Sequence, residues 1–386
     1  MPVPAPDVSK VVYRVSRPDT RRLHVEADIT PAAPVSVLTL RERYGPAQGF
    51  PLGISNVTVT GGDARAAIAP GKLLVVSSVP FTLTYDCTFP DYVDAVSLLR
   101  GFRRNDTLFA PGMALFHRLH DQRAEYEVNI ETAAACSRPA DENGRLLFGT
   151  ERELERAYFA FGDVVIDTAG ETRFVHEPTF PFAIDDALKI WPRLAHEISQ
   201  IFGDDRASGW TVFLFSSHEH QAGQPGVGFA LPGGALVSVS ADDGTLASAH
   251  TLWLLLHERA HQWLGEALGR ADPADDWFFE GFTNFTACEV LARAGLLPTS
   301  ERERLLALSR RAARRLNTSD SAALAHRGFL CAERWHRHLL QHGSSLTDVL
   351  VTLVATHRGK TLQGEDLIAA LCQASTDGKA PDFPVR

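Results

Sequence analysis

Over the first 165 residues the apolar positions alternate with polar ones or gather in short spans. These are Val11–Val15, Leu23–Ile29, Val35–Leu40, Val57–Val59, Leu73–Val76, Phe81–Tyr85 and Tyr126–Ile130. Turn residues such as Gly61-Gly62-Asp63 and Pro70-Gly71 separate many of them. Short β-rich spans with such punctuation predict a sandwich or a related antiparallel sheet. The period changes near residue 183. Ala183–Phe202 carries apolar residues at helical spacing, and Pro192 within it is expected to kink or restart the helix. Thr211–Phe215 reads as a buried strand, Gly223–Gly234 as a glycine-rich connection and Ala235–Val239 as an edge strand. Helical patterns follow at Leu246–Leu268, Trp277–Ala294, Ser300–Leu316, Gly328–Gln341 and Leu346–His357. The basic run Arg302–Arg315 fits a solvated amphipathic helix.

Composition narrows the class. A length of 386 residues favours two or three domains, and 45% hydrophobic with 22% charged residues is ordinary for a globular chain. Lys and Arg number 38 against 47 Asp and Glu, a formal charge of −9. No global basic field draws the chain to nucleic acid or to an anionic membrane. No apolar run approaches the ~18 residues of a membrane span, and Met1–Tyr13 lacks the pattern of a signal peptide. Cys87, Cys136, Cys288, Cys331 and Cys372 are scattered, without CxxC spacing, as free thiols in a reducing compartment would be. A soluble, cytoplasmic protein is expected, with neither nucleic acid nor membrane as partner and no oligomeric state fixed by the pattern.

The chemistry is carried by His257-Glu258-Arg259-Ala260-His261. On a helix His257 and His261 lie one turn apart on one face, so both imidazoles can meet one Zn²⁺ at ~2.0–2.1 Å. Glu258 is turned about 100° around the axis, beside the metal but free to take a proton from metal-bound water. Leu252–Leu256 supports a buried helix here. A catalytic zinc needs a third ligand and an open position. Glu280, eighteen residues after His261 and beyond the turn Gly269–Asp276, is the candidate. Thr283 and Asn284 share its face at i+3 and i+4, where either can hydrogen-bond a ligand imidazole. Asp272, Asp275 and Asp276 fit turn and N-cap positions better than ligands.

HExxH followed after eighteen residues by Glu in W-x-x-E-G-F-T resembles the gluzincin metallopeptidases. Within them it resembles the M1 aminopeptidases and especially the M61 glycyl-aminopeptidases, whose third-ligand segment is similar to Trp277–Leu296. The resemblance implies an α+β, multidomain chain: a β-sandwich-like N-terminal domain over 1–170, a thermolysin-like α/β zinc catalytic domain over 171–300, and a C-terminal helical region over 301–386. It implies His257, His261 and Glu280 as ligands of one zinc per chain, which polarises the scissile carbonyl and lowers the pKa of its water. Glu258 is then the general base, and peptides or other small molecules are the partners.

Two departures from the family pattern bear on substrate. The G-x-M-E-N or G-L-E-H segment, whose Glu grips the substrate amine, finds its nearest match at Gly234–Ser238, with Val237 at the Glu position. Asp242 or Asp243 could substitute. The Tyr of the Y-E-K-G segment, which stabilises the oxyanion, corresponds to Ala325, and all six tyrosines precede the HExxH helix. His326 or Arg327 could donate in its place. His250, seven residues before His257, could line the cleft, as could His218 and His220. Three readings stay open: a metallopeptidase of aminopeptidase type; a zinc enzyme acting on a non-peptide or N-blocked substrate, as M1 relatives that open epoxides permit; and a non-catalytic, zinc-stabilised binding protein.

Overall fold

In the strand Ser9–Asp19 strict alternation turns Val11, Tyr13 and Val15 to one face, none with any exposed surface. The strand pairs antiparallel with Arg22–Thr30 and parallel with Ala124–Ile130. These strands belong to a six-stranded sheet, in the order Leu146–Phe148, Ala124–Ile130, Ser9–Asp19, Arg22–Thr30, Phe81–Thr88, Ile54–Thr60. Two four-stranded sheets accompany it, one through Val35–Thr39 and Lys72–Val76, the other through Thr107–Pro111 and Tyr158–Gly162. An apolar core reaching from Val11 to Phe161 joins these sheets. The computed structural model describes residues 8–44, 47–48, 53–61, 65–69, 72–77, 79–92, 97–120, 123–132, 134–203, 209–217, 226–240, 246, 248–270, 276–315 and 321–375.

A mixed five-stranded sheet follows, in the order Val165–Ala169, Thr172–His176, Thr211–Ser217, Gly234–Ser240, Gly226–Leu231. Two sequence expectations are corrected here. Gly234–Ser240 is interior, parallel to Thr211–Ser217 and antiparallel to Gly226–Leu231. The edge strand is Gly226–Leu231, inside what reads in sequence as a connection. Its glycines hide the two-residue period, because a position without a side chain is neither apolar nor polar.

Asp185–Phe202 is one helix that runs through Pro192 and does not restart there. Pro192 lies on the exposed face, where water can take up the carbonyl that a proline ring leaves unpaired. On the opposite face Trp191 stacks on Trp210 with ring centroids 5.4 Å apart. One apolar core takes residues from this sheet and from all the later helices, from Ala169 to Leu371. These helices are Ala249–Leu264, Asp276–Arg293, Thr299–Arg315, Ser321–Gln341, Leu346–His357 and Gly364–Ala374. Ser321–Gln341 starts seven residues earlier than its apolar pattern suggests, and Gly364–Ala374 has no counterpart in the sequence reading. Among the described residues no helix is long and apolar enough to cross a membrane.

Helices Asp276–Arg293 and Ser321–Gln341 cross at Gly281 and Gly328. A methyl group on Gly281 would lie 2.6 Å from Phe329 N, and one on Gly328 would lie 2.6 Å from Trp277 C. Only glycine permits so close a backbone approach. Ion pairs tie the β-rich part to the five-stranded sheet and to the helices. Arg104 Nε is 2.7 Å from Glu177 Oε1, and Arg156 Nη1 donates to Glu266 Oε2 at 2.9 Å just past the end of Ala249–Leu264.

Candidate metal centre

The helix Ala249–Leu264 carries the HExxH residues. Ser248 caps it, its hydroxyl accepting from Thr251 N at 3.1 Å. Leu252, Leu255, Leu256 and Ala260 lie in the core with at most 1% exposure, which fixes the rotation of the helix. His257 and His261 therefore emerge together, beside the helix Asp276–Arg293 and its Glu280.

Three donor atoms converge. His257 Nε2 lies 3.1 Å from His261 Nε2 and 3.3 Å from Glu280 Oε2, and the third side, His261 Nε2 to Glu280 Oε2, is 3.5 Å. Ligand atoms bound tetrahedrally to one ion at ~2.0–2.1 Å stand about 3.3 Å apart, so this triangle fits Zn²⁺. Among the described residues these three form the one group of His, Cys, Asp or Glu with metal-ligand spacing. The Glu280 side chain keeps 30% of its surface exposed against 11% and 13% for the histidines, so the site is open on its side. Burial opposes ionisation of Glu280, but His261 and His257 outweigh it and hold the carboxyl well below its ordinary range.

Asn284 Oδ1 lies 2.9 Å from His257 Nδ1 and accepts its proton. That tautomer leaves the Nε2 lone pair facing Glu280 and His261, as a metal ligand requires. Thr283 does not share this task; its hydroxyl bonds back to the Phe279 carbonyl within its own helix. Glu258 is 3% exposed, and its Oε1 stands 3.9 Å from His257 Nε2. Burial pushes its carboxyl up to about 8, with His257 pulling down and Glu280 pushing up. Against it lies Gly228 of the edge strand, where a methyl group would fall 2.5 Å from Glu258 Cδ and 2.6 Å from Cγ.

Gly228 alters the reading of the missing amine anchor. Val237, expected at that position, is fully buried in the core. The strand that runs beside Glu258 is Gly226–Leu231, and Ala230 shares the face of Gly228, two residues on. Val237 is the residue paired opposite Gly228, so it lies on the same face of the sheet within the core, and Ala235 is paired opposite Ala230. His326 Nδ1 is 3.2 Å from Ser309 Oγ, between two C-terminal helices, and burial lowers its pKa. Arg327 Nη2 lies 3.4 Å from the Ala313 carbonyl. The non-ligand Arg259 is buried between Trp210 and Trp263, its guanidinium carbon 5.0 and 5.2 Å from their ring centres. His218, His220, Asp242, Asp243, Asp272 and Asp275 lie outside the described residues, whereas Asp276 is the buried first residue of its helix.

No family model and no curated protein sequence matches the chain. Solved structures do. An aminopeptidase N family protein from Idiomarina loihiensis superposes with TM-score 0.78 at 14% identity, over 98% of this chain and 74% of that one. An M1 zinc metallopeptidase mutant from Deinococcus radiodurans, bound to a Tyr-Ser-Ala substrate, gives 0.62 at 17% identity over 96% and 91%. A yeast LTA4 hydrolase in complex with bestatin gives 0.58 at 13% identity over 98% and 68%. At these identities the likeness is one of fold: a mixed α/β, multidomain architecture like that of M1 aminopeptidases.

Proposed function

We propose that the chain is a zinc-dependent hydrolase, most simply a metallopeptidase, with His257, His261 and Glu280 holding one zinc and Glu258 acting as general base. The observation that carries this reading is the donor triangle of 3.1, 3.3 and 3.5 Å with the buried Glu258 carboxyl group 3.9 Å from its His257 corner. A zinc ion held there supplies Lewis acidity and lowers the pKa of a water molecule. Glu258 takes a proton from the attacking water as the carbon–oxygen bond forms. It returns that proton to the leaving amine as the carbon–nitrogen bond breaks. Asn284 holds the His257 ring in the tautomer that leaves Nε2 free. The reading keeps the division at residues 170 and 300, with the last two parts sharing a core, and a cytoplasmic setting on the five scattered cysteines.

A second reading is favoured by Ala230. A hydrolase of free-amine peptides must neutralise an ammonium next to the scissile bond, and a methyl group cannot do so. This favours an N-blocked or non-peptide substrate on the same scaffold. A purely binding role is disfavoured by Glu258, since three ligands with an open side and a buried base describe a catalytic rather than a closed structural site.

The test is hydrolysis of aminoacyl amides, each free and N-acetylated, by zinc-loaded protein, with Glu258→Gln as the blank. The expected result is turnover that Glu258→Gln abolishes while zinc content is unchanged. Equal turnover by the two proteins would overturn the role of Glu258.

A further inference from the structure

The ligand-bearing face of Ala249–Leu264 does not end at His257. From Thr251 to Leu264 only Trp253 and His261 keep intermediate exposure, and one turn earlier His250 does so as well. His250, Trp253, His257 and His261 are spaced by three or four residues and share one face. Their rings follow one another along it. His250 and Trp253 have centroids 5.6 Å apart, Trp253 and His257 again 5.6 Å, and His257 and His261 4.7 Å.

Trp253 turns its nitrogen inward, towards Cys288 of the Glu280 helix, and the Nε1 atom is buried. The part of the indole that meets solvent is therefore carbon. Beyond it, burial first and Arg304 second lower the His250 pKa to about 4, so this ring is neutral near pH 7. The Glu301–Arg304 ion pair, with Nε to Oε2 at 2.8 Å, forms the rim past His250. An uncharged aromatic ledge thus starts at the donor triangle and leads away from it.

We infer that Trp253, with His250 behind it, is a specificity-determining subsite that receives a large apolar or aromatic side chain on a residue flanking the scissile bond. The inference rests on the hydrolase reading and extends it to substrate class. Covering the carbon edge of an indole with a Leu or Phe side chain removes apolar surface of both from water. Partial burial of this kind is enough for about tenfold discrimination against Ala, equivalent to about 1.4 kcal/mol. A charged side chain would lose solvation against the ledge.

The experiment uses full-length, zinc-loaded protein and peptides, N-acetylated and free, in which Ala, Leu and Phe alternate on both sides of one bond. Cleavage sites are read by mass spectrometry. The expected result is a preference of about tenfold in kcat/KM for Leu or Phe over Ala at one flanking position, carried by KM. Trp253→Ala should remove that preference and Trp253→Phe should restore it, with zinc content unchanged in both. The same peptides are titrated calorimetrically into zinc-loaded Glu258→Gln, with and without Trp253→Ala, so that binding is measured independently of turnover. Persistence of the preference in Trp253→Ala, or binding by the Glu258→Gln protein that is indifferent to Trp253, would overturn the subsite. Apolar-selective, Trp253-dependent binding without hydrolysis by the unsubstituted protein would uphold the subsite and overturn the hydrolase reading instead.

Discussion

The two walls that meet at Glu258 are built differently. The helical wall holds three donor atoms within 3.5 Å of one another, with an amide fixing the tautomer of one histidine. The strand wall presents a hydrogen atom at Gly228 and a methyl group at Ala230. The first wall specifies chemistry, because metal ligation requires particular atoms at particular distances. On the proposed reading the second wall sets what is admitted, since small side chains leave room there that a carboxylate would fill. Each wall can be perturbed separately, and the expected effects differ in kind.

The largest effect is expected on the helical wall. His257→Ala, His261→Ala or Glu280→Ala each removes one corner of the donor triangle, and zinc measured by elemental analysis after gel filtration should fall to background. Retention of full zinc by all three variants would mean that the metal is held elsewhere. Next comes the contact between the walls. Gly228→Ala would place a methyl group 2.5 Å from Glu258 Cδ. The carboxylate, the flexible partner, must swing away. Zinc and fold should be retained, and kcat should fall towards the ~10²–10⁴ that a positioned base contributes. Unchanged kcat in Gly228→Ala would break the link between strand and base. A smaller effect is expected at Asn284. Asn284→Ala frees the His257 ring and should weaken zinc binding by about 10–100-fold in competition with a chelator, whereas Asn284→Asp keeps an acceptor and should bind near the original strength.

The difference between the walls also explains what could be read in sequence. Helical spacing is local and regular, so His257 and His261 were legible from their four-residue separation. Glu280 was read from its place eighteen residues after His261 beyond a turn, and Thr283 and Asn284 from their i+3 and i+4 spacing from it, although only the packed structure puts Asn284 on His257 while turning Thr283 back to Phe279. The strand wall was not legible in the same way. Its edge strand is written Gly-Val-Gly-Phe-Ala-Leu, and glycine carries no hydrophobic signal, so the strand read as a connection and Val237, in the next strand, took its place. Trp253 was invisible for another reason. Within Leu252–Leu256 it reads as core, and only the rotation of the packed helix separates it from its buried neighbours. The crossing at Gly281 and Gly328 depends on two helices nearly fifty residues apart in sequence, which no single-helix period encodes.

The smallest and sharpest perturbation is on the strand wall. Ala230→Glu adds the carboxylate that the strand lacks, on the face shared with Gly228 and two residues from it. If the strand wall governs admission, this variant should gain activity on free-amine aminoacyl amides relative to their N-acetylated forms, by a factor of about ten for one new charge-assisted contact of ~1.5 kcal/mol. The gain should appear in KM, fall with added salt and leave zinc content unchanged. Val237→Glu is the informative contrast: it buries a carboxylate in the apolar core and should unfold the protein or lower its Tm without creating amine preference. An unaltered ratio of free to blocked turnover in folded, zinc-loaded Ala230→Glu would show that admission is set by some other element, and the difference between the two walls would lose its functional meaning. A shift in the ratio would make the strand wall the determinant of substrate class and leave the helical wall as the invariant chemistry beneath it.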